Sequence, residues 1–354
     1  LDNLATGKIT SEEAVKLLSG DLPGVDPATA AYDLGLAFLR IGRPGEASES
    51  FEESETRAAE EPLRCFAGLL RGEALYAAGR FSEGAAVSGR VAASSCPAAA
   101  RLRARYDEGW CLIRSEAPGG AEQSFRALIR DAREGPSPHP LLAPGMLSLG
   151  LALEKEGRPQ DAALVYEQVR GEFPGTVHAG EALQCLAALA ADRGDFASAV
   201  ELYGDFIRLG PDPGRTAQAR FLMGGCYFRM GDFDRAVDSY VRVLHETPGT
   251  PGLRDLARTW IGWSYVRLRS HRLARKVFEE LGATAEGAGL RAWSLARAGD
   301  AALEIRDFEG ARTLYAGART MAESSGVRGA VEAASLAGEG WTRYLEGEYG
   351  TAAD

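Results

Sequence analysis

Along the 354 residues, small and large apolar side chains return in a fixed order, with polar stretches between them. Counted from a turn, the first column reads Pro44, Phe81, Pro118, Pro159, Phe196, Phe233, His271, Phe308 and Tyr349, at spacings of 37 or 38 residues apart from two of 41. Three residues later stand Ala47, Gly84, Ala121, Ala162, Ala199, Ala236, Ala274, Ala311 and Ala352. Four beyond those come Phe51, Ser88, Phe125, Tyr166, Tyr203, Tyr240, Phe278 and Tyr315. Nine residues before the turn lie Gly35, Gly72, Gly109, Gly150, Ala187, Gly224, Gly262, Gly299 and Gly340. The small and aromatic positions are one helical turn apart and share a helix face, so each period predicts two helices around a tight turn.

Each column predicts a contact. A Gly inside a helix costs about 1 kcal/mol relative to Ala, so a column of them must be offset by close approach, and the Ala column of the second helix is the expected partner. The aromatics are expected to fill the gap between one hairpin and the next. Gly42, Gly79, Gly157, Gly194, Gly231 and Gly347 supply the turn, and Pro174, Pro211 and Pro248 close the second helix. A hairpin that cannot cover its own apolar face is stabilised by stacking on its neighbours, which gives one continuous core.

This pattern resembles the tetratricopeptide repeat, with a small residue in the first helix, Ala and an aromatic in the second, and a closing Pro. The resemblance implies an all-α, right-handed α-solenoid over residues 28–354, as eight full hairpins and a truncated ninth. Residues 1–27 read as a leading helix and linker, from the capping-box pattern Thr10-Ser11-Glu12-Glu13 ahead of an apolar run. The period is longer than the usual ~34 residues. Hairpin two, with Gly84 and Ser88, and hairpin seven, with His271, are expected to be looser. The extra residues of the two long spacings fall in Glu134–Pro144 and Glu323–Gly329, both rich in turn formers and read as loops.

Charge and chemistry then narrow the function. A net charge of −10 argues against a nucleic-acid partner, and no apolar run is long enough to span a membrane. The five cysteines (Cys65, Cys96, Cys111, Cys185, Cys226) show no C-x-x-C pair, so neither a zinc site nor a complete disulfide framework is indicated. Buried thiols are the expectation, which leans toward a reducing compartment. No lysine follows a phosphate-cradling loop, and the four histidines have no ligand spacing. Ser88 has Ala86 where a nucleophile elbow needs Gly. No catalysis, cofactor or metal is expected.

What remains is surface. The resemblance implies that first helices line a concave face. One residue after the glycine column stand Trp110, Trp263 and Trp341, three of the five tryptophans. Tyr106 and Phe221 lie three before it, and Phe228 four after. A step beyond brings Arg40, Arg114, Lys155, Arg229 and Arg267, a row able to steer an acidic peptide. Tyr106, Trp110, Phe221, Phe228, Arg229, Trp263, Arg267 and Trp341 are therefore the candidate partner-binding residues. Two arrangements fit them: an open apolar patch that marks a binding site, or packing against the neighbouring first helix. Family members that grip acidic chaperone tails use Lys and Asn, and the sole Asn here, Asn3, lies outside the array.

These observations lead to the expectation of a non-catalytic scaffold that binds a peptide or partner protein in its groove. The Phe173-Pro174-Gly175-Thr176 and Thr247-Pro248-Gly249-Thr250 segments look like those of bacterial envelope tetratricopeptide proteins, which implies a periplasmic or envelope-associated place, with the cytoplasm as the alternative. A carbohydrate-binding scaffold of a polysaccharide-export system, stacking sugars on the three tryptophans, is a second reading. A docking or regulatory region of a larger protein is a third.

Overall fold

The computed structural model describes residues 11–20, 24–134, 139–246, 251–326 and 329–347. Thr10 of the capping box, Pro248, Tyr349, Ala352 and parts of both long-spacing loops lie outside them. Every described element is an α-helix. The chain divides into two compact units, Leu1–Ala182 and Leu183–Asp354. The first holds α1 (Ser11–Leu18), α2 (Pro27–Arg40), α3 (Pro44–Arg57), α4 (Glu61–Ala77), α5 (Phe81–Ala92), α6 (Ala98–Arg114), α7 (Pro118–Arg133), α8 (Leu142–Lys155) and α9 (Pro159–Glu172). The division falls inside α10 (Val177–Asp192). The second unit continues with α11 (Phe196–Arg208), α12 (Pro213–Met230), α13 (Phe233–Glu246), α14 (Pro251–Arg267), α15 (His271–Thr284), α16 (Ala288–Glu304), α17 (Phe308–Ser324) and α18 (Ala330–Leu345). From α2 onward the even-numbered helix of each repeat leads and the odd-numbered one returns. Of the stretch read as a loop before Pro144, Leu142 to Pro144 is already the first turn of α8.

The turns follow one design. In all eight hairpins the residue before the turn column donates its amide to a carbonyl five residues back, from Arg43 to Phe38 through Asp307 to Ala302, at 2.9 or 3.0 Å. This is the bond that closes a helix through one left-handed residue. Gly42, Gly79, Gly157, Gly194 and Gly231 take that residue's place with φ between 74° and 82°. The other three hairpins put Glu116, Arg269 and Arg306 there, at φ 61°, 55° and 62°. A side chain with a Cβ is disfavoured in that region and Gly is not. Glu116→Gly and Arg306→Gly are therefore expected to raise stability by about 0.5–1 kcal/mol each, read as a higher urea midpoint. A lower midpoint would show that those side chains hold the turn in another way.

Within each hairpin, the aromatic is the element that the glycine column accommodates. A Cβ built on Gly35, Gly109, Gly224, Gly262 or Gly299 would lie 2.5 to 2.8 Å from the ring of Phe51, Phe125, Tyr240, Phe278 or Tyr315, respectively. The expected Gly–Ala pairing is thus replaced by a Gly–aromatic one inside the same hairpin. Geometry explains it: the alanine is fully buried at the crossing, and the ring one turn further on brings its Cδ1, Cε1 and Cζ atoms over the missing side chain. The eight residues of the aromatic column are at most 3% exposed, and Tyr315 also presses on Gly338 of the next repeat's first helix. Hairpin two fills the same space by other means. Its Ser88 sits against Gly72, and the Cys111 thiol of α6 takes the room above Gly84.

The expectation of buried thiols fails at two positions. Cys65 on α4 and Cys96 in the link between α5 and α6 form a disulfide, with Cα atoms 5.7 Å apart. They are 31 residues apart in sequence and share no short motif, so only the hairpin's return path brings them together. Cys111 and Cys226 are buried and free. The lean toward a reducing compartment is withdrawn with it, because structural disulfides persist where the environment oxidises.

Candidate functional site

At about 100° per residue, positions six and two before the glycine, and one and five after it, fall within about 60° of each other on the first helix. Positions three before and four after sit on the flank turned toward the buried ring. This division sorts the candidate residues. Tyr106 leans on Phe125 with ring centres 6.1 Å apart, and Phe221 leans on Tyr240 at 5.5 Å. Both are half-buried, as is Phe228, which meets Phe233 at 5.2 Å and Trp260 at 5.1 Å. Trp263 packs edge-on to Phe278 and against Trp293, at about 6 Å from each. Trp341 is the most open of the six candidates that carry a ring, at 56% exposure, and stacks on Tyr344 at 5.2 Å.

The cationic row has partners within the fold. Arg229 lies over the Phe196 ring at 5.5 Å, Arg267 over Phe233 at 4.8 Å, and Arg114 over Phe81 at 5.0 Å. In each case the Arg of one repeat covers the turn aromatic of the repeat before it. Such contacts are worth about 0.5–1 kcal/mol at exposed sites. Where the turn residue is Pro44, Pro118 or Pro159, the facing position is Ala77, Lys155 or Asp192. Arg229 and Arg267 remain exposed on their outer side.

Tyr106 and Trp110 meet in a cleft of about 250 Å³ between α4 and α6, completed by Glu73, Tyr76, Arg103 and Asp107. Their rings stand edge to face at 6.3 Å. The Arg103 guanidinium joins the two acids: Nε donates to Asp107 Oδ1 at 3.0 Å, and Nη2 is 3.0 Å from Glu73 Oε1. Burial, reinforced by the Glu73 charge and only partly opposed by Arg103, pushes the Asp107 carboxyl up to about 7. The columns three before and one, four and five after the glycine do not include Arg103 and Asp107, which stand six and two before Gly109. The same two offsets carry the exposed Phe66, Leu222, Leu256 and Trp260. Among the described residues no cluster is placed to hold a metal ion, and no helix is long and apolar enough to cross a membrane.

A stack of two-helix repeats with a continuous first-helix face in each unit defines a helical-repeat protein of the solenoid class. Residues 145–176 and 186–251 each match the tetratricopeptide-repeat family. Among solved structures, the C-terminal part of a TPR repeat-containing protein from Cytophaga hutchinsonii is similar, at 14% identity and a TM-score of 0.57, over 72% of this chain and 95% of that one. The apo form of RapI is similar at 11% identity and a TM-score of 0.59, over 84% of this chain and 86% of that one. No curated protein matches the chain. Residues 145–176 and 186–251 therefore carry tetratricopeptide repeats, in a chain whose described helices continue the same two-helix pattern, and repeats of this kind support a general role as a protein-interaction scaffold.

Proposed function

We propose that the chain binds an extended segment of a partner protein along its first-helix faces and performs no reaction of its own. The observation that carries this is the exposure at fixed offsets within each unit: Phe66 in the first, and Leu222, Leu256, Trp260 and Trp341 in the second, are large apolar side chains left at least a third exposed on helices that lead their repeats. A preformed face of that kind lowers the ordering cost of a flexible ligand. A protein partner is favoured over a sugar because Trp263 is walled in by Phe278 and Trp293, which breaks the row of three stacking platforms. An envelope or periplasmic place is favoured because the Cys65–Cys96 disulfide suits an oxidising compartment.

Photo-crosslinking tests this in the native host. A photoreactive residue at Leu256 or Trp341 is expected to trap polypeptide partners, and one at Leu164, exposed on the returning helix α9, is not. Equal trapping at Leu164, or adducts that carry glycan and no protein, would overturn the reading.

A further inference from the structure

We infer that the cleft between α4 and α6 receives a cationic side chain, a guanidinium or an ammonium, from the partner polypeptide. This rests on the scaffold reading above and assigns a chemistry to one part of its face. Three features converge. The lining offers three aromatic rings, Tyr76, Tyr106 and Trp110, whose faces attract a cation once it is partly desolvated. It carries two carboxylates, Glu73 and Asp107, against the single guanidinium of Arg103, so with both acids ionised it keeps one uncompensated negative charge. Its volume of about 250 Å³ is below the range of pockets that hold drug-sized ligands and suits one side chain.

Arg103 shows what the cleft prefers, since a guanidinium already lies across both acids, with nearly half of its side chain still open to solvent. An incoming cation shares or displaces it. An anionic ligand would have to enter beside Glu73 and a nearly buried Asp107. The sign is therefore opposite to the acidic peptide that the row of arginines suggests, and it is set by residues outside that row.

The ionisable groups acting on Asp107 are Arg103 on its own helix and Glu73 across the cleft on α4. Cys111, one turn further along α6, stays neutral because burial, with Asp107 and Glu108, pushes its thiol up to about 12. Since Asp107 titrates near neutrality, cation binding draws on its ionised form and strengthens as pH rises through about 7.

The experiment titrates the full chain, at low salt, with blocked octapeptides of alternating Gly and Arg, Gly and citrulline, or Gly and Glu, followed by calorimetry. The Arg peptide is expected to bind about tenfold or more tighter than its citrulline isostere, and severalfold tighter at about pH 8 than at about pH 6. Asp107→Asn and Trp110→Leu should each lower affinity about tenfold at unchanged melting temperature, whereas Arg103→Gln, which frees both acids, should raise it. Glu167→Gln, which removes an equal charge from α9, controls for the acidity of the whole chain and should change nothing. Equal binding of the citrulline peptide, an equal loss in Glu167→Gln, or an Arg103→Gln variant no tighter than the parent would each overturn the assignment. Preference for the Glu peptide, or binding of none, would sink the cation assignment alone, because the scaffold reading stands or falls on crosslinking to real partners.

Discussion

Phe278→Ala is expected to destabilise the chain by about 3–5 kcal/mol, the cost of emptying a fully buried aromatic site. Its partner substitution has the more informative sign. By helix propensity, Gly262→Ala should stabilise α14 by about 1 kcal/mol. The structure reverses that expectation, because the new Cβ would lie 2.5 Å from two atoms of the Phe278 ring, and overpacking of this kind costs about 1–3 kcal/mol. Gly171, in the last turn of α9 with open space around its Cβ, is the control: Gly171→Ala should follow propensity and stabilise, by less than a mid-helix site would. In the double variant Gly262→Ala/Phe278→Leu, the smaller branched side chain leaves room for the methyl, so the two losses should be less than additive. Repeats are held mainly by their neighbours, so the damage should be local, and hydrogen exchange should report it first in α14 to α16. A stabilising Gly262→Ala would show that the glycine column serves something other than the ring.

The fold was legible because a solenoid writes its packing into the sequence once per period. The turn column, the alanines and the aromatics each recur often enough to be read without a structure, and the structure adds what starts the second helices: Pro44, Pro118 and Pro159 at first helical positions, and the Asp195 and Asp307 side chains as N-caps. The partner of the glycines was not legible. Periodicity gives the face on which a residue lies and cannot tell which of two residues one turn apart on the opposing helix reaches it; the backward tilt of the Phe278 side chain decides that. The three non-glycine turns were missed because a left-handed Glu116, Arg269 or Arg306 has no signature in composition.

The candidate site was legible in part, for the same reason. Tyr106 and Trp110 emerged from columns chosen for their aromatics, but the open face in each unit also runs through offsets that are chemically mixed from repeat to repeat. Asp107, Leu222 and Trp260 occupy one such column, and only the face angle unites them. The arginines at 229 and 267 show the converse. Their regular spacing is real, and the structure ties it to a repeating contact with Phe196 and Phe233. A periodic feature of a repeat protein is first a property of the repeat; features confined to one repeat, such as the pairing of Arg103 with Glu73 and Asp107, stand out as candidates for recognition.

Loss of the Cys65–Cys96 bridge is expected to cost about 3–4 kcal/mol, from the entropy that a 31-residue closure removes from the unfolded chain. The place of the bridge gives the prediction its point. Hairpin two has Ser88 and Gly84 where other repeats carry a ring and an alanine, so it buries the least apolar area in its own crossing. The bridge joins α4 to the residues just past α5, next to Val91, Ala92, Ala100 and Ala104, and so ties the two ends of the unit that lacks an aromatic wedge. Reduction, or Cys65→Ala/Cys96→Ala, should therefore expose residues 61–96 to hydrogen exchange well before α14 to α16 loosen. It should also lower the urea midpoint, whereas reductant should have no effect on the double alanine variant. An alanine variant as stable as the parent, with α4 and α5 still protected, would show that Cys111 and the serine suffice to hold that hairpin, and would remove the support that the bridge lends to an oxidising compartment.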